Sequence, residues 1–245
     1  MKKSEQIKQI AEQLKLPILS DYESHINTTE PFENKLLTLL EIQLDQKEQQ
    51  RMERRIKNAR FPVIKTLDTF NFEKAKLPDL KEEVVRELAK CEYIEQKHNV
   101  IAVGNPGTGK SHICVALGIE AIKNNINVIF KKAAELVNEM SRAQHDKKLD
   151  KYMKKIHRFP LLIIDEMGYL SFNTRDSSLL FQIIAQRYET RSTIITTNLH
   201  FSKWGSFLQD KKLITAIVDR LSHKTTFLNM FGDSWRAIEA EFFMK

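Results

Sequence analysis

The run Gly104-Asn105-Pro106-Gly107-Thr108-Gly109-Lys110-Ser111, with His112 directly behind it, carries the densest chemistry in this chain. Glycines at these spacings let backbone N–H groups turn inward around polyanionic oxygens. Lys110 then reaches the β and γ phosphates, and Ser111 offers a hydroxyl to Mg²⁺. Further along, the apolar run Leu161-Leu162-Ile163-Ile164 ends in two carboxylates, Asp165 and Glu166. A hard cation that keeps several waters needs few protein ligands, so Ser111 and Asp165 with phosphate oxygens suffice for the metal. Glu166, one residue on, is placed to polarise water for in-line attack on the γ-phosphorus. Thr196-Thr197-Asn198 puts a neutral amide after another apolar run, and Asn198 is suited to orient that water or to sense the γ-phosphate. Two arginines outside the loop, Arg220 and Arg236, offer the planar fork that best neutralises a transferring phosphoryl group. The chemistry these residues point to is attack of water on a nucleoside triphosphate held with its Mg²⁺.

Such a set works only if strands deliver it to one edge. Val100 to Val103 precedes the glycine-rich loop, and a helix over 111–123 follows it. Further β-branched apolar runs occur at 128–130, 161–164, 193–196 and 225–228, alternating with helical patterns. Continuous rather than alternating apolarity marks strands covered on both faces, hence a parallel α/β sheet with crossover helices and ligands beyond the carboxyl ends of its strands. Residues 1–60 contain no glycine and read as helices over 4–15, 20–29 and 31–57. Phe61-Pro62 breaks the last of these, which sets a helical N-terminal domain over 1–62 and the α/β domain over 63–245. Phe70 and Phe72, in the segment joining them, read as core padding, and helix resumes over 80–97.

Composition narrows the class. A chain of 245 residues with 42% hydrophobic and 29% charged residues can bury one substantial core beside a small module. No apolar run approaches the roughly 18 residues a membrane span needs, and no apolar h-region follows the charged start. A cytoplasmic protein with no membrane association is expected. The two cysteines, Cys91 and Cys114, lie far apart in sequence and suggest neither a disulfide framework nor a zinc site. A net charge of +7 favours a polyanionic partner. It concentrates in two helical stretches: Arg51, Arg54, Arg55, Lys57 and Arg60, and Lys147, Lys148, Lys151, Lys154, Lys155 and Arg158. In the second, the spacing sets a row of cations along one face, either a solvated surface or a track for a phosphate backbone.

Together these segments resemble the AAA+ ATPases of the IstB/DnaC group, most closely the IstB-like helper proteins of insertion-sequence transposition. The resemblance spans the loop at 104–111, Asp165-Glu166-Met167-Gly168-Tyr169-Leu170, Gln186-Arg187-Tyr188-Glu189 and Thr196-Thr197-Asn198-Leu199. It continues through Asp219-Arg220-Leu221 with His223, and Gly232-Asp233-Ser234-Trp235-Arg236. It implies a P-loop NTPase fold, with the sheet sandwiched by helices and preceded by a small all-helical domain. It further implies that Arg220 acts in trans as an arginine finger, and that the chain forms an ATP-dependent homo-oligomer on double-stranded DNA and presents that DNA to a cognate transposase. A replicative helicase loader of the DnaC type shares the same ATPase core and differs in what the N-terminal domain grips.

Overall fold

The computed structural model describes residues 3–26, 29, 31–73, 77–208 and 210–235; Arg236 lies outside them. The chain forms two compact units, residues 1–54 and 55–245. In the first, α1 (Lys3–Gln13) is followed by α2 (Pro17–Ser20), which opens on proline where the missing N–H costs nothing. The start of α3 (Phe32–Ala59) completes it, with Ala11, Leu39 and Gln43 buried. Among the described residues of 20–29, the expected helix does not form. A short 3₁₀ turn, Tyr22–Ser24, takes its place, and the Ser24 hydroxyl bonds both the carbonyl and the carboxylate of Asp21 at 2.8 Å. Short polar side chains that satisfy the local backbone in this way compete with helix.

The units divide after Arg54, not after Pro62 where the helix-breaking pair placed the boundary. Burial accounts for the difference: Ala59 is fully buried, and Ile56 and Phe61 pack against the core of the second unit. There, α4 (Glu82–Ala89) and α5 (Glu92–Glu95) replace the single helix expected over 80–97, because Cys91 turns left-handed between them at φ 67°. The chain then alternates through β1 (Asn99–Val103), α6 (Lys110–Lys123), β2 (Val128–Lys132), α7 (Ala133–His145) and α8 (Leu149–His157). It finishes with β3 (Leu161–Met167), α9 (Thr174–Arg187), β4 (Ser192–Thr197), α10 (Lys211–Ser222) and β5 (Thr225–Asn229).

Every strand foreseen from apolar runs is present, and all pair in parallel in the order β2-β3-β4-β1-β5. Successive residues feed opposite faces. Leu161 and Ile163 join the core beneath α4 and α6, while Leu162 and Ile164 join the core under α7, α9 and α10. Both faces being covered is why these strands read as continuous apolar runs. Because β4 lies between β1 and β3, the loop after β1, the carboxylates of β3 and the threonines of β4 converge on one edge.

Arg187 fixes part of this frame. It is 2% exposed, and its guanidinium donates to Thr193 and to the carbonyls of Ile156, Phe159, Pro160 and Ser192. Burial, then the neighbouring Arg191, pulls its pKa down to about 9. It staples the end of α8 to the start of β4.

Candidate phosphate-binding site

At the end of β1 the chain turns through Gly104, whose missing Cβ would collide with the Met230 carbonyl; Met230 N in turn donates to Val103 O at 2.7 Å. Gly107 and Gly109 adopt φ of 83° and 91°, conformations that L side chains rarely take. The Thr108 hydroxyl closes the turn on the Asn105 carbonyl at 2.9 Å. Lys110 opens α6 and is only 6% exposed, with its ammonium donating to Gly104 O at 2.7 Å and Asn105 O at 2.6 Å. A buried cation that donates to neutral carbonyls is suited to exchange them for anionic oxygens entering the loop.

The Ser111 hydroxyl donates to Asp165 Oδ1 at 2.7 Å, and the Thr196 hydroxyl donates to the same oxygen at 2.5 Å. Asp165 is 3% exposed, so these two bonds satisfy a carboxylate otherwise removed from water. A hydroxyl and a carboxylate oxygen side by side are the hard donors Mg²⁺ prefers. Among the described residues no three His, Cys, Asp or Glu side chains cluster to cage a cation unaided. The donor set therefore fits a cation completed by phosphate oxygens and water.

Glu166 sits at a register shift between Ile164 and Met167, with φ at 63°. Left-handed backbone at a glutamate costs on the order of 1–3 kcal/mol, and such strain persists where the surroundings over-determine it. Here the Glu166 N–H is held by Thr196 Oγ1 at 2.9 Å, and its carboxylate pairs with Lys132 Nζ at 3.0 Å. That bond raises the Lys132 pKa. Thr196 thus ties both acids to β4, bonding the Asp165 carboxylate and the Glu166 N–H. The sequence motifs named Asn198 as a candidate and gave no role to Thr196, two residues earlier and within β4.

Lys110, Ser111, Glu166 and Thr196 line a cavity of about 690 Å³. Its far wall is the segment before the sheet, with Val63, Lys65, Phe70 and Asn71. Phe70 is both core padding and wall: it meets Phe72 edge-on at 4.8 Å and His112 at 5.2 Å, and its ring fills the space a Cβ at Gly109 would need. His112 Nε2 lies 2.9 Å from Thr66 O and 3.1 Å from Thr69 Oγ1, and burial lowers its pKa. The last described residues close the other side, Trp235 N donating to Gly107 O at 3.0 Å and Asn105 Nδ2 to Gly232 O at 3.1 Å. Asp233 and Trp235 line the same cavity.

Other sequence candidates sit elsewhere. Asn198 follows β4, and its side-chain oxygen is buried without a hydrogen-bond partner among the described residues. Arg220 lies on α10 and is not among the residues lining its own chain's cavity. On α8, Lys151, Lys154 and Lys155 are exposed, as are Lys147 and Lys148 before it and Arg158 after it, while Met153 and Ile156 face the core. Among the described residues none of these cations has a carboxylate partner. Arg51, Arg54, Lys57 and Arg60 are exposed too, whereas Arg55 is tied to Asn125 Oδ1 at 2.8 Å.

A family model described as IstB-like ATP binding protein matches residues 10–241. A protein of insertion sequence IS5376 from Geobacillus stearothermophilus, named as ATP-binding, is 36% identical over 96% of this chain and 95% of its own length. An IS21 counterpart from Pseudomonas aeruginosa is 40% identical over 78% of this chain and 71% of its own. Among solved structures, the DnaC helicase loader aligns with a TM-score of 0.54 at 24% identity over 60% of this chain and 86% of that one. AMPPCP-bound DnaA from Aquifex aeolicus aligns at 0.56 and 20% identity over 75% and 56%. These two likenesses carry the fold alone.

Proposed function

This chain belongs to the IstB-like ATP-binding proteins, and on that premise we propose that it is a Mg²⁺-dependent ATPase that assembles on double-stranded DNA and readies it for a transposase. The observation that carries the reading is the Ser111–Asp165 bond at 2.7 Å beside the Lys110 ammonium, the groups that a metal and a phosphate would need, brought together at one strand edge. Lys110 would neutralise the β and γ oxygens, while Ser111 and Asp165 would hold the metal. When bound, Mg²⁺ supplies charge neutralisation at the phosphates. Glu166 accepts the proton of the attacking water, and Lys132 holds its carboxylate in place until that water arrives. Asn198 senses the γ-phosphate, and Arg220 reaches the site of a neighbouring copy.

Lys110→Ala is expected to weaken ATP binding about 10- to 100-fold, the worth of a charge-assisted bond to phosphate; isothermal titration with a non-hydrolysable analogue measures it. Undiminished affinity would remove the lysine from the phosphate site.

The exposed cations of α8, without a carboxylate partner among the described residues, support DNA as the polyanion. Replacing Lys151, Lys154 and Lys155 together with alanine should lower duplex affinity and flatten the slope of log affinity against log salt by up to roughly 3, one unit for each lost phosphate contact. Fluorescence anisotropy across a salt series reads both. An unchanged slope would make this row an ordinary solvated face.

A further inference from the structure

Two segments singled out in the sequence, Gln186 to Glu189 and Asp219 to His223, have no place at the nucleotide cavity, and the fold brings them together. Arg220, on α10, lays its guanidinium carbon 5.1 Å from the centre of the Phe181 ring on α9 and 5.9 Å from the centre of the ring of Tyr188, which caps the end of α9. Its Nη1 donates to Ala216 O at 2.9 Å, one turn back on its own helix. No carboxylate pairs with it among the described residues. The Tyr188 ring is itself braced, its hydroxyl 3.1 Å from His223 Nδ1 and its ring centre 5.7 Å from that of the imidazole.

We propose that Tyr188 and Phe181 form an aromatic seat that positions Arg220, with His223 bracing the seat from behind. The proposal rests on the reading that Arg220 completes the ATP site of a neighbouring copy. An arginine that must meet a phosphoryl group across an interface faces two opposing requirements. Left free, its long side chain samples many rotamers, and ordering it at the moment of reaction costs part of what it contributes. Paired with a carboxylate, it is ordered but its donors are consumed and its charge is cancelled. Ring faces resolve the conflict: they hold a guanidinium by its flat side through cation–π attraction and leave its in-plane N–H groups for an anion. The single bond to Ala216 O fixes the rotation of the fork about the stack. Tyr188 and Phe181 are therefore positioning residues and touch no substrate.

The test separates the chain that supplies the arginine from the chain that hydrolyses. Arg220→Ala protein retains Glu166 and lacks the finger; Glu166→Gln protein retains the finger and lacks the base. Mixed with DNA and ATP, the second should restore hydrolysis to the first. The Glu166→Gln/Tyr188→Leu double variant, used as donor, should restore about tenfold less, while Glu166→Gln/Tyr188→Phe, which keeps the ring, should restore it fully. ATP affinity and sedimentation of each donor should be unchanged, a pattern that a general loss of structure does not give. If Tyr188→Leu does not fold, Phe181→Leu removes the nearer ring and carries the same test. Equal restoration by Leu and Phe donors overturns the seat alone. No restoration by Glu166→Gln itself overturns action across an interface, and the seat with it.

Discussion

Glu166→Gln is expected to bind ATP with affinity within a few-fold of the parent and to hydrolyse it roughly 10²- to 10⁴-fold more slowly, the usual worth of a positioned general base. The amide is nearly isosteric and keeps the geometry set by the Thr196 bond and the bulge of β3, but it cannot take a proton from water. Slow hydrolysis with intact binding should leave assemblies loaded with nucleotide, visible as persistent DNA complexes in a filter or anisotropy assay after ATP is added. The loss of the Lys132 ion pair is a minor component, because both partners are about 42% exposed and water screens the pair. Near-parental turnover by this variant would falsify the assignment of the base.

Arg220→Ala should slow hydrolysis by homomeric assemblies on the order of 10³-fold or more, as loss of a finger supplied in trans does. In the isolated chain the arginine lies on α10 against Phe181 and Tyr188, and it does not line its own nucleotide cavity. ATP binding by dilute protein should therefore be unaffected, and the defect should appear only as concentration drives assembly. Single-turnover rates measured across a protein dilution series distinguish this from a defect in the chain's own site. An equal defect at every dilution would place the arginine's role within one chain.

Much of the fold was legible because its signals are local. Strands buried on both faces need only apolar β-branched runs, and the runs at 100–103, 128–130, 161–164, 193–196 and 225–228 all became strands. The misread elements were decided by single side chains and single dihedrals. Ser24 and Asp21 satisfied the backbone where a helix was expected, and Cys91 turned left-handed inside another. The division of the chain after Arg54 followed from burial of Ala59 and Phe61 against the second unit, which no helix-breaking signal reports.

For the candidate site, the phosphate loop, Asp165 and Glu166 were legible in the sequence, because each belongs to a contiguous motif that can be read without its surroundings. Tertiary structure decided which side chains serve them. Thr196 reaches Asp165 only because β4 lies beside β3, Lys132 reaches Glu166 only because β2 flanks it on the other side, and Phe70 becomes a wall only when its segment folds over Gly109. The same holds for Tyr188 beneath Arg220, joined by the packing of α9 on α10. Such meetings depend on strand order, register and helix packing, which are properties of the whole folded chain, whereas a motif needs only its own few residues to be read.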